Sequence, residues 1–345
     1  MKIAVAYSSK NGLLKEFEKR HQKSEEIPPD FFAEGDSMET INSIMNAIRS
    51  GGHKVFGIEA DDSAPEILDQ IRPDLVFNIA EGLFGDFRES YIPLICERQG
   101  LPYTGSDPLT LAICLNKART KEILNYHSIP TPIFRVVYPY QNYELRDFSF
   151  PAIIKPIAEG SSKGIFDSSV VDDAEQAKNK VEESIARYNE PLIIEKFLDG
   201  DEFTVAVWGN GKDVEVLPIV AINYDDLPEG ARRIYSYEAK WIWDTPKKPL
   251  EIFKCPAPLT YLQQRNIEDV IRDAYRVMNI KDWCRIDIRM DEQGIPHVLE
   301  LNPLPGVLPN PEDNSCFPKA TRTKGYSYEA MINKVIEFAR KRYGI

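Results

Sequence analysis

Hydrophobic residues in the first hundred positions alternate between the period of a β-strand and the period of a helix. Strand-like apolar runs are separated by amphipathic stretches, such as the one that places Ile41, Ile44, Met45 and Ile48 on a single helical face. Alternation of this kind predicts a parallel sheet covered by helices. The predicted strands are KIAVAYS, KVFGI and DLVFNIA, and PEILDQIR and RESYIPLICERQG are further predicted helices. Residues 10–36 are polar and charged, and we expect a long mobile loop there.

The rest of the chain predicts two more units that mix strands and helices. One helix is expected over residues 107–127, and the two prolines of SIPTPIF end it. Three strands follow, at 133–138, 151–155 and 192–196. A helix is predicted before the last of them, in DDAEQAKNKVEESIARY. Later strands are predicted in EFTVAVWG, VEVLPIVA, CRIDIRM and HVLELN, with helices at about 258–278 and 327–342.

Length and charge narrow the class of protein. The 345 residues exceed the usual size of one core, which favours two or three domains at about 100–200 residues each. A net charge of −12 is unfavourable for binding nucleic acid, so any anionic ligand must meet locally placed lysines or arginines. The five cysteines form no C-x-x-C pair, and no apolar run of about 20 residues occurs. We therefore expect a cytoplasmic protein with neither a nucleic-acid nor a membrane partner.

The stretch CRIDIRMDEQGIPHVLELNPLPG predicts a hairpin with charged residues on one face. Strand alternation groups three residues on the first strand, Arg285, Asp287 and Arg289. It groups three more on the returning strand, Val298, Glu300 and Asn302. A mixed-charge face of this kind is common where one side of a hairpin is exposed to solvent.

The register of this hairpin gives the charged face a second interpretation. A two-residue turn at Gln293-Gly294 would pair Asp287 with Glu300, and it would pair Arg285 with Asn302. Like charges directly opposite each other destabilise a sheet. Because Mg²⁺ binds carboxylate and amide oxygens, a bound magnesium ion would remove that penalty.

A lysine before a Gly/Ser loop is the first candidate for phosphate binding. Lys155 ends the apolar strand of PAIIKPIAEGSSKG, and the loop that follows can bring backbone N–H groups close to phosphate oxygens. Neither a Walker loop nor a G-x-G-x-x-G motif occurs. A solvent-exposed strand end is the alternative. Lys117 in LNKARTK is a weaker candidate, since a lysine on a helix usually lies at the surface.

The stretch IIEKFLDGDEF is a candidate nucleoside site. It is an apolar strand that ends in Glu195 and Lys196, followed by a turn and Glu202. A strand edge with a free carbonyl and N–H suits an adenine, and a nearby carboxylate suits ribose hydroxyls. An ordinary strand and turn has the same pattern.

The order of these motifs resembles the ATP-grasp superfamily and, within it, the D-alanine:D-alanine ligases. The resemblance is carried by NKARTK, IIKPIAEGSSKG, IIEKFLDGDEFTV, YEAKW and RIDIRMDEQGIPHVLELNPLPG, with VFNIAEGLFGDFRES and GLPYTGSDPLTLAICLNK in the first domain. Residues 10–36 and the tail after about 310 lack it. It implies an α/β ATP-grasp fold of three subdomains, with an N-terminal Rossmann-like parallel sheet (1–112), a central subdomain (113–197) and a C-terminal subdomain (198–345). ATP would lie between the last two.

The resemblance also implies a role for each motif residue. Cofactor contacts would come from Lys117 and Lys155 at the ATP phosphates, Glu195, Lys196 and Leu198 around the adenine, and Glu202 at the ribose. The metal ligands would be Asp287, Glu300 and Asn302. They would bind two Mg²⁺ ions, or Mn²⁺ instead of Mg²⁺. The catalytic residues would be Arg285, which stabilises the acyl phosphate and the oxyanion, Ser161 in the loop over the γ-phosphate, and Lys240 in a mobile flap.

The activity that this resemblance implies is ATP-dependent ligation of a carboxylate to an amine through an acyl phosphate. The substrates would be small amino acids, the pathway would be peptidoglycan biosynthesis for the cell wall, and the enzyme would be a homodimer. Phosphoryl transfer depends mainly on positioning and charge neutralisation, which suits a site with two lysines, an arginine and Mg²⁺.

Four departures from the family pattern lie on the substrate side. Glu81 replaces a histidine, SSKNGLLKEF replaces a serine-rich turn that carries a glutamate, Trp241 replaces a tyrosine, and NPLPGVLPNP replaces N-T-S-P-G. Two alternatives therefore stay open. One is the same chemistry on another amino-acid pair or conjugate in secondary metabolism. The other is a nucleotide-binding protein without turnover. The presence of Arg285 and of the metal-ligand residues makes this alternative less favourable.

Overall fold

The computed structural model describes residues 1–20, 30–244 and 250–345. Its first sheet is parallel, in the order β2-β1-β3. The strands are β1 (Lys2–Tyr7), β2 (Lys54–Glu59) and β3 (Leu75–Asn78). The helices around it are α1 (Lys10–Arg20), α2 (Met38–Ser50), α3 (Ala64–Ile71) and α4 (Tyr91–Gln99). The predicted α/β class and N-terminal parallel sheet are confirmed.

Part of the predicted loop over residues 10–36 is a helix, so that prediction was wrong for α1. Leu13 and Phe17, four residues apart, share one face and are buried against Phe31, Phe32 and Leu83. The high charge of this stretch hid two apolar positions at helical spacing. The part of the prediction that covers 21–29 lies outside the described residues.

The single helix predicted over 107–127 is two helices, α5 (Pro108–Leu115) and α6 (Lys117–Tyr126). Asn116 separates them because its ψ of 98° is extended, and its side chain accepts a hydrogen bond from the Arg119 N–H to cap α6. The backbone N–H of Lys117 donates to the Ile157 carbonyl at 2.9 Å. This turn places Lys117 beside the end of a strand in the second sheet.

The second sheet is antiparallel, in the order β4-β7-β5-β6. Its strands are β4 (Phe134–Val137), β5 (Ala152–Pro156), β6 (Val170–Val171) and β7 (Leu192–Lys196), and α7 (Ala174–Tyr188) packs on it. β4, β5 and β7 agree with the three predicted strands to within a residue or two, whereas the sequence did not predict β6. The order makes β7 an interior strand.

The third sheet is antiparallel, in the order β11-β10-β8-β12-β13, with β9 paired to β8. Its strands are β8 (Glu202–Trp208), β9 (Glu215–Val216), β10 (Val220–Ile222), β11 (Phe253–Lys254), β12 (Trp283–Met290) and β13 (Pro296–Asn302). The strand predicted in VEVLPIVA is split into β9 and β10, since Pro218 lacks the N–H that a ladder needs.

Three more helices complete this part of the chain, α8 (Tyr261–Val277), α9 (Cys316–Thr323) and α10 (Tyr328–Tyr343). The sequence did not predict α9. One apolar core joins the first and third sheets, with Phe77 packed 5.7 Å from Trp283, measured between ring centroids. No helix in the described ranges is long and apolar enough to span a membrane. The subdomain boundaries after residues 112 and 197 stay predictions.

Candidate active site

A cavity of about 350 Å³ is lined by residues of the second and third sheets and by loop and helix residues beside the first sheet. Ten of the twelve predicted site residues line it, namely Lys155, Ser161, Glu195, Lys196, Leu198, Glu202, Lys240, Arg285, Asp287 and Glu300. The other two, Lys117 and Asn302, contact Glu300 from behind the wall, at 3.6 Å and 3.3 Å respectively. The structure therefore brings all twelve residues together.

The β12–β13 hairpin forms the floor of this cavity. Arg285 pairs with Asn302 and Asp287 pairs with Glu300, as the sequence predicts. The predicted two-residue turn was wrong, because the Asp291 N–H donates to the Ile295 carbonyl and closes a longer loop.

Asp287 still pairs with Glu300 because a β-bulge lies between this pair and the next one, Ile288–Val298. The bulge inserts one extra residue into β13, which offsets the different turn. The bulge also reverses two side chains. Val298, which was predicted to share the face of Glu300, is buried in the core, and Leu299 lines the cavity instead.

Arg285 binds both facing carboxylates. Its Nε lies 3.1 Å from Oδ1 of Asp287, and its terminal nitrogen lies 3.0 Å from Oδ2 of Asp287 and 3.3 Å from Oε1 of Glu300. Burial raises the pKa of Asp287 to about 6, with Glu300 adding to the shift and Arg285 opposing it. Burial alone would raise the pKa of Glu300, but the charges of Lys117, Arg285 and Lys155 outweigh it and lower that pKa.

The donor set of this hairpin fits Mg²⁺. The Asp287 and Glu300 side chains are 15% and 26% exposed, so their oxygens are accessible from the cavity. The Asn302 amide lies beside them, with its nitrogen turned toward Glu300. Carboxylate and amide oxygens are the ligands that Mg²⁺ prefers. Without a cation, Arg285 supplies the charge that keeps the two carboxylates together.

Lys155 has a protein partner in this structure. Its Nζ lies 2.6 Å from Oε2 of Glu195, and Nζ of Lys121 lies 3.2 Å from Oε1 of the same carboxylate. Burial would raise the pKa of Glu195, but the two ammonium groups outweigh it and lower that pKa. Sequence reasoning missed Lys121, although it stands in the quoted motif NKARTK. Its burial and its acidic partner appear only in the fold.

The nucleoside end of the cavity differs from the prediction in one respect. Because β7 is an interior strand, the N–H of Lys196 already donates to Ile133 and the N–H of Phe197 to Pro151, each at 2.9 Å. The predicted free strand edge was wrong for these two amides. Glu202 lies beyond them and accepts hydrogen bonds from Arg289 at 2.8 Å and from the Tyr224 hydroxyl at 2.7 Å.

Lys240 lies in a short helical turn, Ala239–Trp243, at the edge of the cavity. Burial and the positive charge of Arg285 lower the pKa of Lys240 to about 8. The next residue, Trp241, is one of the four departures from the family pattern, and its side chain lies outside the described part of the structure. Residues 245–249, which follow this turn, also lie outside it.

The wall on the side of the first sheet is acidic. Glu81 lines the cavity, and within the described ranges no hydrogen bond or ion pair holds its carboxylate. Burial raises the pKa of Glu81 well above its ordinary value, with Glu34, Glu89 and Asp36 adding to the effect. Sequence reasoning singled out Glu81 but missed Glu34 and Asp36, which belong to residues 10–36.

Comparisons with known proteins point to one family. The model of the D-ala D-ala ligase C-terminus matches residues 137–337. The protein y4sG of Sinorhizobium fredii is 30% identical over 99% of this chain and 98% of its own length. The D-alanine–D-alanine ligase of Actinobacillus succinogenes is 31% identical over 88% of this chain and 92% of its own.

A solved structure shows the same fold. The D-alanine–D-alanine ligase of Bacillus anthracis, complexed with ATP, superposes with a TM-score of 0.73 at 19% identity and covers all of this chain and 99% of its own. The predicted ATP-grasp fold is thereby confirmed. The matched family model covers more than half of the chain, and ten of the twelve predicted site residues line one cavity of that fold. The chain belongs to the D-alanine–D-alanine ligase family.

Proposed function

We propose that this protein is an ATP-dependent carboxylate–amine ligase that forms an amide through an acyl phosphate, with D-alanine as the first candidate for both substrates. One observation carries the proposal. Arg285 contacts Asp287 and Glu300 at the floor of a cavity that Lys155 also lines, and Lys117 reaches the same Glu300 at 3.6 Å. Cationic groups beside a magnesium-type donor set are what phosphoryl transfer requires.

The metal would be held by Asp287, Glu300 and Asn302, either as Mg²⁺ or as Mn²⁺. When bound, it would neutralise charge on the transferring phosphoryl group. Lys117 and Lys155 would bind the phosphates, and Glu202 would bind the ribose. Lys117 has a suitable place for this role, because its Nζ lies next to Glu300 of the metal donor set and is held there by the Glu159 carbonyl at 2.5 Å.

The chemistry would have two stages. An oxygen of a substrate carboxylate first attacks the γ-phosphorus of ATP, which gives an acyl phosphate and releases ADP. The amine of the second substrate then attacks the acyl carbon, and inorganic phosphate leaves. Arg285 would stabilise the negative charge of the tetrahedral oxyanion. Ser161 and Lys240, at the edge of the cavity, would help to exclude water from the acyl phosphate.

The test is phosphate release from ATP with Mg²⁺ across a panel of D- and L-amino acids, with each product identified by mass. Release that D-alanine stimulates, with the dipeptide as product, would support a role in peptidoglycan synthesis. The absence of any amide product with every amino acid in the panel would overturn the ligase proposal.

The acidic wall favours a second candidate, the same chemistry on a different amino acid. Glu81 replaces the family histidine and, within the described residues, no hydrogen bond or ion pair holds its half-buried carboxylate, so a cationic substrate group would satisfy it. Amide formation with lysine, ornithine or a diamine, but not with D-alanine, would support this candidate. A strict preference for D-alanine would exclude it.

A further inference from the structure

Residues 30–36 cross from the first sheet to the loop that follows β5, and we call this segment the strap. Two features fix it to the N-terminal part of the chain. The ring of Phe31 packs 5.1 Å from that of Phe17 in α1, measured between centroids. The Asp36 N–H donates to the Ser8 carbonyl at 2.9 Å.

At its first residue the strap binds one end of the Gly/Ser loop, which we define as residues 159–164. Oδ2 of Asp30 accepts a hydrogen bond from the Gly164 N–H at 2.8 Å and another from the Tyr188 hydroxyl at 2.8 Å. Asp30 is fully buried. A buried carboxylate is costly without donors, and these two donors satisfy Oδ2, whereas Oδ1 has no hydrogen-bond partner in the described part of the chain.

Further along, the strap binds the other end of the same loop. Oε1 of Glu34 accepts a hydrogen bond from the Gly160 N–H at 2.8 Å. A terminal nitrogen of Arg88 lies 3.1 Å from each Glu34 oxygen and 3.2 Å from Oε2 of Glu159. A Cβ on Gly160 would lie 2.6 Å from Oε1 of Glu34, so the approach requires glycine.

The two contacts enclose the part of the loop that faces the cavity. Ser161 and Ser162 lie between the anchored glycines, both have positive φ values, of 50° and 62°, and both line the cavity. Left-handed conformations are unfavourable for serine and persist only where the surroundings impose them. The backbone N–H groups of Gly160 and Gly164 are therefore used to position the loop, while the serines line the cavity, where the Ser162 hydroxyl donates to the Tyr235 carbonyl at 2.9 Å.

We propose that Asp30 and Glu34 are positioning residues that hold the Gly/Ser loop in place over the cavity before any substrate binds. This inference rests on the proposed ligase function and adds that the order of the loop comes from the strap. Because the loop is ordered in advance, nucleotide binding does not bear that entropic cost. A held loop also keeps water away from the acyl phosphate.

The first experiment needs no substrate. Amide hydrogen exchange is measured on the full-length protein without nucleotide, for wild type, Glu34→Ala, Asp30→Ala and the control Glu18→Ala. Glu18 is an exposed carboxylate on α1, in the same N-terminal region. We expect exchange at residues 159–164 to be at least about tenfold faster in the two strap variants than in the other two proteins. Equal exchange in all four proteins would overturn the proposal.

The second experiment separates positioning from general stability. In steady-state assays we expect Glu34→Ala to raise the KM for ATP about tenfold and to raise the phosphate released per amide formed, with a smaller change in kcat. Asp30→Asn keeps an oxygen that can accept from Gly164 and Tyr188, so it should behave like wild type. A KM and a phosphate-to-amide ratio within twofold of wild type in both alanine variants would overturn the proposal.

A coupling test remains informative if Asp30→Ala fails to fold. Gly160→Ala should displace Glu34 in the wild type and raise the KM for ATP, but it should add little in Glu34→Ala, where the clash is gone. Additive effects of the two substitutions would overturn the proposal. If no amino acid yields an amide, the ligase function fails, whereas the exchange experiment still decides the role of the strap.

Discussion

Nζ of Lys155 lies 2.6 Å from Oε2 of Glu195, and Lys121 approaches the other oxygen of that carboxylate at 3.2 Å. The three side chains are 9%, 1% and 0% exposed for Lys155, Glu195 and Lys121. One buried anion therefore serves two buried cations, and the group has an excess of positive charge. A nucleotide phosphate at Lys155 would meet that excess, so the lysine has a protein partner and still favours an anion.

Glu195→Gln tests this arrangement. The substitution leaves two buried ammonium groups without the anion between them, and we expect the free energy of unfolding to fall by about 3–5 kcal/mol. Because ATP phosphates can supply the missing negative charge, ATP with Mg²⁺ should raise the Tm of the variant more than the Tm of wild type. Scanning calorimetry with and without ATP measures both effects.

The matched control is Glu182→Gln. Glu182 pairs with Lys178 at 4.0 Å, but both side chains are mostly exposed. We expect a change within about 0.5 kcal/mol and an ATP response equal to that of wild type. The same ATP response in Glu195→Gln and in wild type would contradict the role given to the buried group.

Asp287→Asn tests the magnesium site. Loss of one carboxylate leaves the donor set with less charge, so we expect turnover to fall at least about a hundredfold and the Mg²⁺ concentration for half-maximal activity to rise. A metal titration of ATP-dependent phosphate release measures both. Glu292→Gln, an exposed carboxylate in the turn of the same hairpin, should leave both values unchanged. Near-normal turnover of Asp287→Asn would refute metal ligation by this residue.

The β12–β13 hairpin shows what periodicity can and cannot predict. Alternation along the strands was enough to place Arg285 and Asp287 on one face, and the assumed turn then paired Asp287 with Glu300. Alternation was not enough to place Val298 and Leu299, because one bulged residue reverses the faces of a strand without changing its composition. The predicted pairing was correct only because two differences cancel. The turn is longer than predicted, and the bulge shifts the register back by one residue.

Residues whose role depends on a distant partner were the ones that sequence reasoning missed. Lys121 looks like any helical lysine until the fold places it beside Glu195, 74 positions later. Asp30 and Glu34 lie in a charged stretch that predicts a loop, and their partners at Gly164 and Gly160 are more than a hundred positions away. Local patterns predict elements and short-range pairs, whereas contacts of this length need the fold.

Gly200→Ala should weaken the third sheet next to the nucleoside end of the cavity. A Cβ at this position would lie 2.8 Å from both the carbonyl carbon and the Cβ of Met290, and still closer to its carbonyl oxygen. Backbone atoms cannot move aside cheaply, and the Met290 N–H also bonds the Asp201 carbonyl at 2.9 Å. We expect a loss of about 2–3 kcal/mol in the free energy of unfolding, measured in urea.

Gly306→Ala serves as the control for stability. A Cβ on Gly306 would meet no atom within 4 Å, and its backbone does not need a positive φ. The free energy of unfolding should therefore stay within about 0.5 kcal/mol of wild type. If Gly200→Ala is as stable as this control, the strand end at Met290 has more freedom than the close approach indicates.

Asp36→Asn should change how stability depends on pH. Burial, and next the nearby charge of Glu59, raise the pKa of Asp36 to about 7. The folded state therefore binds this proton more tightly than the unfolded state, in which the pKa is about 4. It follows that this residue contributes most to stability below about pH 4, and that the contribution is lost as the pH rises from about 4 to 7.

Asparagine has no proton to lose, so the variant should be more stable than wild type at pH 8, by about 1–3 kcal/mol, with the advantage disappearing near pH 4.5. Urea unfolding of both proteins at several pH values gives the difference, which cancels the contributions of the other carboxylates. Asp62→Asn, at a side chain that is 93% exposed, should show no such trend. A constant difference between Asp36→Asn and wild type across this range would mean that the Asp36 carboxylate is already charged in the fold, so that the wall beside Glu81 carries more negative charge toward the substrate than its burial indicates.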